Sequence, residues 1–324
     1  MPFGRRFVPM PRAVRQEEYS QQHKREHLQA WRFSMSECLK GRSTFLLCLV
    51  ERQQPGRIAI CPRSVTFGFP KAMPATTLCS LDVTKRMTQG LQFRANYTWA
   101  KNLDIASAVT AATSLNEAAS VLDPYDVRRD WGPSALNPTS QATGNFTYEL
   151  PFGKGKPWLA GATGAAGKLA SGWQLNAIVT LLSGFPITPQ VGSNQSGNGD
   201  TRVPDRPNLN PAFNGRKIIG RVEQWFNPSA YLLPTPGTFG DAGRGILRGP
   251  GLATLDLSLF KAIPIFERTR LEFRAESFNL LNRTNLGLPN PIVFSGGTIS
   301  PSAGIITSTS TTSRQIQFAL KLAF

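Results

Sequence analysis

Oxygen-bearing side chains crowd into GSNQSGNGDTRVPDRPN, where Asn194, Asn198, Asp200 and Asp205 lie within one short stretch. Oxygen donors at alternate positions are what a calcium ion takes, which makes Asn198, Asp200 and Asp205 calcium candidates. The bidentate glutamate of a calcium loop is missing and Pro204 interrupts the run, so a polar surface loop is the favoured reading. A second cluster, DPYDVRRDWGPS (123–134), gathers Asp123, Tyr125, Asp126, Arg128, Arg129, Asp130 and Trp131. Those groups could contact a ligand, or they could order their own loop through salt bridges, and the second reading is the simpler. GATGAAGKLAS (161–171) invites a phosphate-loop reading but fails it on spacing. Position 162 is Ala162 where a glycine is needed, and Leu169 stands where Ser or Thr is needed, so the stretch reads as a flexible turn.

Enzyme chemistry has little to work with. The two histidines are His23 and His27, so no Ser–His–Asp set can form in the later chain. The cysteines, Cys38, Cys48, Cys61 and Cys79, show no CxxC spacing, and HExxH is absent. No catalytic residue, cofactor or metal centre is expected. The net charge of +16 raises nucleic acid as a partner. Its distribution argues otherwise. Residues 1–75 carry 13 Lys+Arg against 5 Asp+Glu, and the remaining 23 and 15 are spread over a far longer stretch. The basic run in 5–42 lacks aromatic residues clustered on a scaffold, so no nucleic-acid partner is expected.

The elements that would carry these clusters are strands. In LQFRANYTWA, Leu91, Phe93, Ala95, Tyr97 and Trp99 share one parity, opposed by Gln92, Arg94, Asn96, Thr98 and Ala100. The same period of two runs through QATGNFTYEL, WQLNAIVTLL, ATLDLSLF, RLEFRAES and the terminal RQIQFALKLAF, and less clearly around Cys79, Leu81 and Val83. Seven such segments of about ten residues match the about 9–11 residues of a tilted strand crossing a bilayer. The connections alternate between short and long, as in outer-membrane barrels, which turn tightly on the periplasmic side and loop widely outside. The charges Arg94, Asp256, Glu272, Arg274, Glu276 and Lys321 fall on one face, and the facing positions in these segments are uncharged. Trp99 at a long-loop end and Trp173 at a turn end suit an aromatic girdle. No run approaches the length of a transmembrane helix, and STFLLCLV (43–50) is far too short. The expected fold is all-β, a partial transmembrane antiparallel barrel of about seven long strands, preceded by an irregular or disordered N-terminal segment.

Six stretches carry a family resemblance: GLQFRANYTWAKNLD (90–104), YELPFGKGKPW (148–158), FNPSAYLLPTPGTFGDAGRGILRGPG (226–251), LDLSLFKAIPI (255–265), LEFRAESFNLLNRTNLGLPN (271–290) and RQIQFALKLAF. Together they resemble the C-terminal barrel region of TonB-dependent receptors, the Oar-like group, over about three quarters of the chain. The resemblance implies an outer-membrane transporter or receptor for an unidentified ligand, with the 123–134 loop on the extracellular side. It implies membrane lipid as surroundings and, in a longer version, a TonB energy-transducing complex as partner. It also implies that Phe318, Leu320, Leu322 and Phe324 form the signal read by the barrel-assembly machinery. The sequence departs from the family in strand number, against about 22 in such barrels, and in lacking a visible plug, energy-coupling box or export signal. The expectation is therefore a C-terminal barrel portion at 76–324, with 1–75 basic, unassigned and foreign to it. Two alternatives stay open: a non-transporting surface-binding or structural outer-membrane protein, and a soluble all-β binding protein.

Overall fold

The computed structural model describes residues 31–38, 43–49, 65–67, 75–107, 116–118, 121–153, 155–199, 205–265 and 269–324. The seven period-two segments are strands: β4 (Ala75–Thr88), β5 (Leu91–Asp104), β6 (Ser140–Glu149), β7 (Trp173–Leu182), β8 (Leu252–Pro264), β9 (Arg270–Phe278) and β10 (Gln315–Ala323). Each pairs antiparallel with its neighbours in the chain, an up-and-down meander. Tight reversals need unusual backbone angles, and β4 turns into β5 through Gln89 (φ 52°) and Gly90 (φ 78°), where both central residues are left-handed. Short connections at 89–90, 150–172 and 265–269 alternate with long ones at 105–139, 183–251 and 279–314.

The register keeps the two faces apart over most of the wall, with Lys85 and Lys261 the exceptions near the turns. One row runs Val83, Ala95, Gly144, Val179, Leu255, and another runs Leu91, Tyr148, Leu175, Leu259, Ala275, Phe318. The interleaved rows are polar, for example Gln92, Thr147, Asn176, Ser258, Glu276, Gln317. On that face Asp82 meets Arg94 at 2.9 Å and Arg270 meets Glu272 at 2.7 Å. A one-residue slip would turn charges such as Arg94, Glu272 and Glu276 into the apolar face, so register is strongly specified. No helix among the described residues is long and apolar enough to cross a membrane, and it is the strands that have spanning length.

Two sequence expectations are corrected. The segment before residue 76 was expected to be irregular, yet it contributes β1 (Trp31–Cys38), β2 (Ser43–Leu49) and β3 (Val65–Phe67). β1 pairs with β4, with Met35 opposite Leu81, and β2 and β3 follow outward, giving an 11-stranded sheet that includes the short Gly132–Pro133 strand. The signal was present: Trp31, Phe33 and Met35 alternate with Arg32, Ser34 and Ser36. The physical reason is that an edge at β4 would leave a row of backbone N–H and C=O groups unpaired. In the second correction, the stretch expected to be a flexible turn holds a helix, α1 (Gly164–Ala170).

The tightly packed core lies outside the wall. Ile187, Val191, Phe226, Ala230, Tyr231, Leu247, Val293 and Phe294 form one buried cluster, drawn from the connections 183–251 and 279–314. Short pairings hold it: Pro186–Ile187 with Leu247–Arg248, and Gln190–Val191 with Ile292–Ser295. Phe226 meets Tyr231 edge-on with centroids 6.3 Å apart. Burial of each large apolar side chain contributes about 1.5–3 kcal/mol. The long loops thus fold together into a cap with its own interior.

Candidate functional site

Between the cap and the ends of the wall lies a cluster of buried charges. Asp104 ends β5, Glu117 follows in the next connection, and Arg244 comes from the 183–251 loop. The Arg244 guanidinium sits 2.5 Å from Asp104 and 2.6 Å from Glu117, with its own side chain 5% exposed. It also donates to the Ser107 Oγ at 2.5 Å and to the Asp104 carbonyl at 2.7 Å. Close packing lets the loop bring Arg244 in: Gly132 and Gly245 pass so near neighbouring backbone that a side chain there would crowd the Arg244 and Pro133 carbonyls. Arg206 joins from the same loop, 3.4 Å from Asp130 and donating to the Arg129 carbonyl at 3.1 Å. Its Nε and Nη1 are buried without a hydrogen-bond partner. A small cavity of about 20 Å³ is lined by Glu117, Asp130, Gln190, Arg206 and Arg244.

Burial dominates the electrostatics. It raises the Asp130 carboxyl above its usual range despite the nearby Arg206, and it lowers Arg206. Burial likewise raises Tyr231, whose hydroxyl has no partner.

The 123–134 cluster divides between the two readings. Asp130 is buried, accepts from the Leu122 N–H at 2.9 Å and pairs with Arg206, so it orders the loop. Arg129 lies over the Phe239 ring at 5.4 Å. Asp123 accepts from the Tyr125 N–H at 2.9 Å, a turn within the loop. Tyr125 itself is fully exposed, Asp126 and Arg128 are exposed, and Trp131 is 41% exposed. These four are the residues free to meet a ligand. Of the calcium candidates, Asn198 and Asp205 lie among the described residues. Asp205 is buried, with its carboxylate accepting from the Ser196 N–H at 2.5 Å and the Ser196 hydroxyl at 3.1 Å. Asn194 accepts from the Gly197 N–H at 3.0 Å, Asn198 donates to the Leu122 carbonyl at 3.4 Å, and Asp200 lies outside the described residues. The oxygens of Asp205 and Asn194 tie the loop to itself.

Sequence reading missed Asp104, Glu117, Arg206 and Arg244. Their partners are more than a hundred residues apart in the case of Arg244, so no local spacing reveals them. The nearest signal is a lone arginine between glycines in DAGRGIL. On the terminal strand, Phe318, Leu320, Leu322 and Phe324 share one face and are 72%, 68%, 54% and 96% exposed. Apolar side chains so exposed along a whole strand face suit a lipid environment, not water.

Residues 79–317 match the family model described as Outer membrane beta barrel domain, well over half of the chain. The comparison with curated proteins gives no match. The matched span runs from within β4 to the start of β10 and takes in both loops that build the cap. The chain belongs to the outer membrane beta barrel domain family, and its place is the outer membrane.

Proposed function

We propose that the chain is the C-terminal barrel portion of a TonB-dependent receptor or transporter of the Oar-like group, and that it is not an enzyme. The observation that carries the reading is the ordered cap: the long connections build a packed core and a buried ion-pair cluster over one end of the wall. A cap of fixed shape presents Tyr125, Asp126, Arg128 and Trp131 as a surface for an incoming ligand, whereas a merely structural wall needs no such interior. In a version bearing a plug, uptake of the ligand stops when the proton-motive force is collapsed. Binding that continues without any energy-dependent uptake would favour a non-transporting surface-binding protein.

The assembly role of the last strand belongs to the same reading. The face bearing Phe318, Leu320, Leu322 and Phe324 is open to the assembly machinery in this arrangement. Deleting Phe324 from a full-length version lowers the amount of heat-modifiable protein in the outer membrane. Undiminished assembly would count against the role.

A further inference from the structure

We infer that the 150–172 turn is a membrane-surface anchor, seated among anionic phospholipid headgroups of the periplasmic leaflet. The inference rests on the wall's being embedded in the bilayer. Its starting point is Lys261. This residue of β8 stands opposite Trp173 and Phe273, in an apolar row, yet it is only 2% exposed. Its ammonium donates to the carbonyls of Lys168 (3.1 Å) and Leu169 (2.6 Å) in the last turn of α1 and of Ser171 (2.8 Å), the residue that caps it. It also lies 4.5 Å from the centre of the Trp173 ring, and the Trp173 Nε1 donates to the Leu169 carbonyl at 2.9 Å. A cation at the C-terminal end of a helix satisfies free carbonyls and complements the dipole. Because both anchors come from the lipid-facing rows, α1 folds outward over the lipid side of the wall and not inward over the lumen.

That placement gives meaning to what the turn exposes. Trp158, Leu159 and Leu169 are 59%, 59% and 62% exposed, although a turn meeting only water has no reason to carry them. Residues 150–172 also hold Lys154, Lys156 and Lys168 and no Asp or Glu. Of these, Lys156 reaches Glu149 at 2.9 Å and Lys168 is exposed. Aromatic and aliphatic tips beside lysines match the interface of an anionic leaflet, where the tips enter the headgroup boundary and the ammonium groups meet phosphates.

The test uses the full chain in vesicles, with and without phosphatidylglycerol, and phospholipids brominated either near the headgroup or near the chain end. The Trp158 contribution to fluorescence is the difference between the chain and Trp158→Phe; the Trp99 contribution, from Trp99→Phe, reports the wall. The expected result is that headgroup-proximal bromine removes most of the Trp158 emission, more so with phosphatidylglycerol, and that Lys168→Glu weakens this quenching while leaving that of Trp99 unchanged. Three results would overturn the inference. Trp158 quenched only by aqueous iodide, with Trp99 quenched by bromine, would place the turn in water. Trp158 shielded from both quenchers would mean that it packs on protein. Neither tryptophan quenched by bromine would remove the bilayer setting itself, and the anchor with it.

Discussion

The wall and the cap are stabilised in opposite ways. The wall consists of long strands whose apolar side chains stay exposed on one face, as Phe318 and Leu320 are, while most of its charges sit on the other, where Asp82 pairs with Arg94 and Arg270 with Glu272. The cap has almost no long strand, but it buries a cluster around Phe226 and Tyr231 and closes over Arg244, Asp104 and Glu117. The wall relies on backbone ladders and on lipid to cover its apolar face. The cap relies on packing and on desolvated ion pairs, like a small soluble domain. A substitution should therefore be damaging in one region and mild in the other according to which of these it touches.

The largest effect is expected in the cap. Arg244→Met leaves the buried Glu117 and the half-buried Asp104 without their cation, and breaking a buried pair costs about 3–5 kcal/mol. Hydrogen exchange should rise throughout 183–251 while the ladders of β7 and β8 stay protected. Equal loss of protection in cap and wall would mean that the two are one cooperative unit.

The wall gives the next largest effect, and it depends on parity. Val179 and Thr180 are adjacent in β7 but lie in apolar and polar rows respectively. Val179→Arg should cost about 2–4 kcal/mol of stability in vesicles, the value for a cation facing lipid at the midplane. Thr180→Arg faces the lumen and should cost far less. Denaturant unfolding of both variants in vesicles measures the difference, and equal costs would contradict the assignment of faces.

The smallest effect is a pH slope. Asp130 titrates above its ordinary value of 3.8 in the folded cap because burial outweighs Arg206. Its contribution favours the fold below the unfolded value and is lost as pH rises through the folded one. Asp130→Asn carries no titrating group, so cap stability should decline less with pH in the window just above 3.8. Exchange rates of cap amides across that window measure it; a steeper decline in the variant would reverse the sign.

Much of the wall was legible because period two is a local signal. Leu91 to Trp99 and Ile316 to Phe324 announce their faces within ten residues, and the register follows from keeping charges such as Arg94 and Glu272 out of the apolar rows. β1 was overlooked because its alternation spans few residues and sits in a basic stretch. The cap was not legible. Ile187, Phe226, Leu247 and Val293 have no common period, and they meet only when two loops separated by β8 and β9 fold together. The same holds for Arg244 and Glu117, whose pairing depends on tertiary closure. Of the residues singled out beforehand, Asp130 pairs with Arg206, and Asp205 accepts hydrogen bonds from Ser196.

A wall that spans the outer membrane in the proposed orientation has the cap outside and the short turns inside. Site-directed labelling in cells exporting the chain tests that orientation most directly. With Cys38, Cys48, Cys61 and Cys79 replaced by Ser, a single cysteine is placed at Tyr125→Cys in the cap or at Thr163→Cys in the α1 turn, and cells are treated with a membrane-impermeant maleimide. Labelling is expected at position 125 in intact cells and at position 163 only after the outer membrane is disrupted. Labelling at position 163 in intact cells, or none at position 125 until disruption, would contradict that orientation.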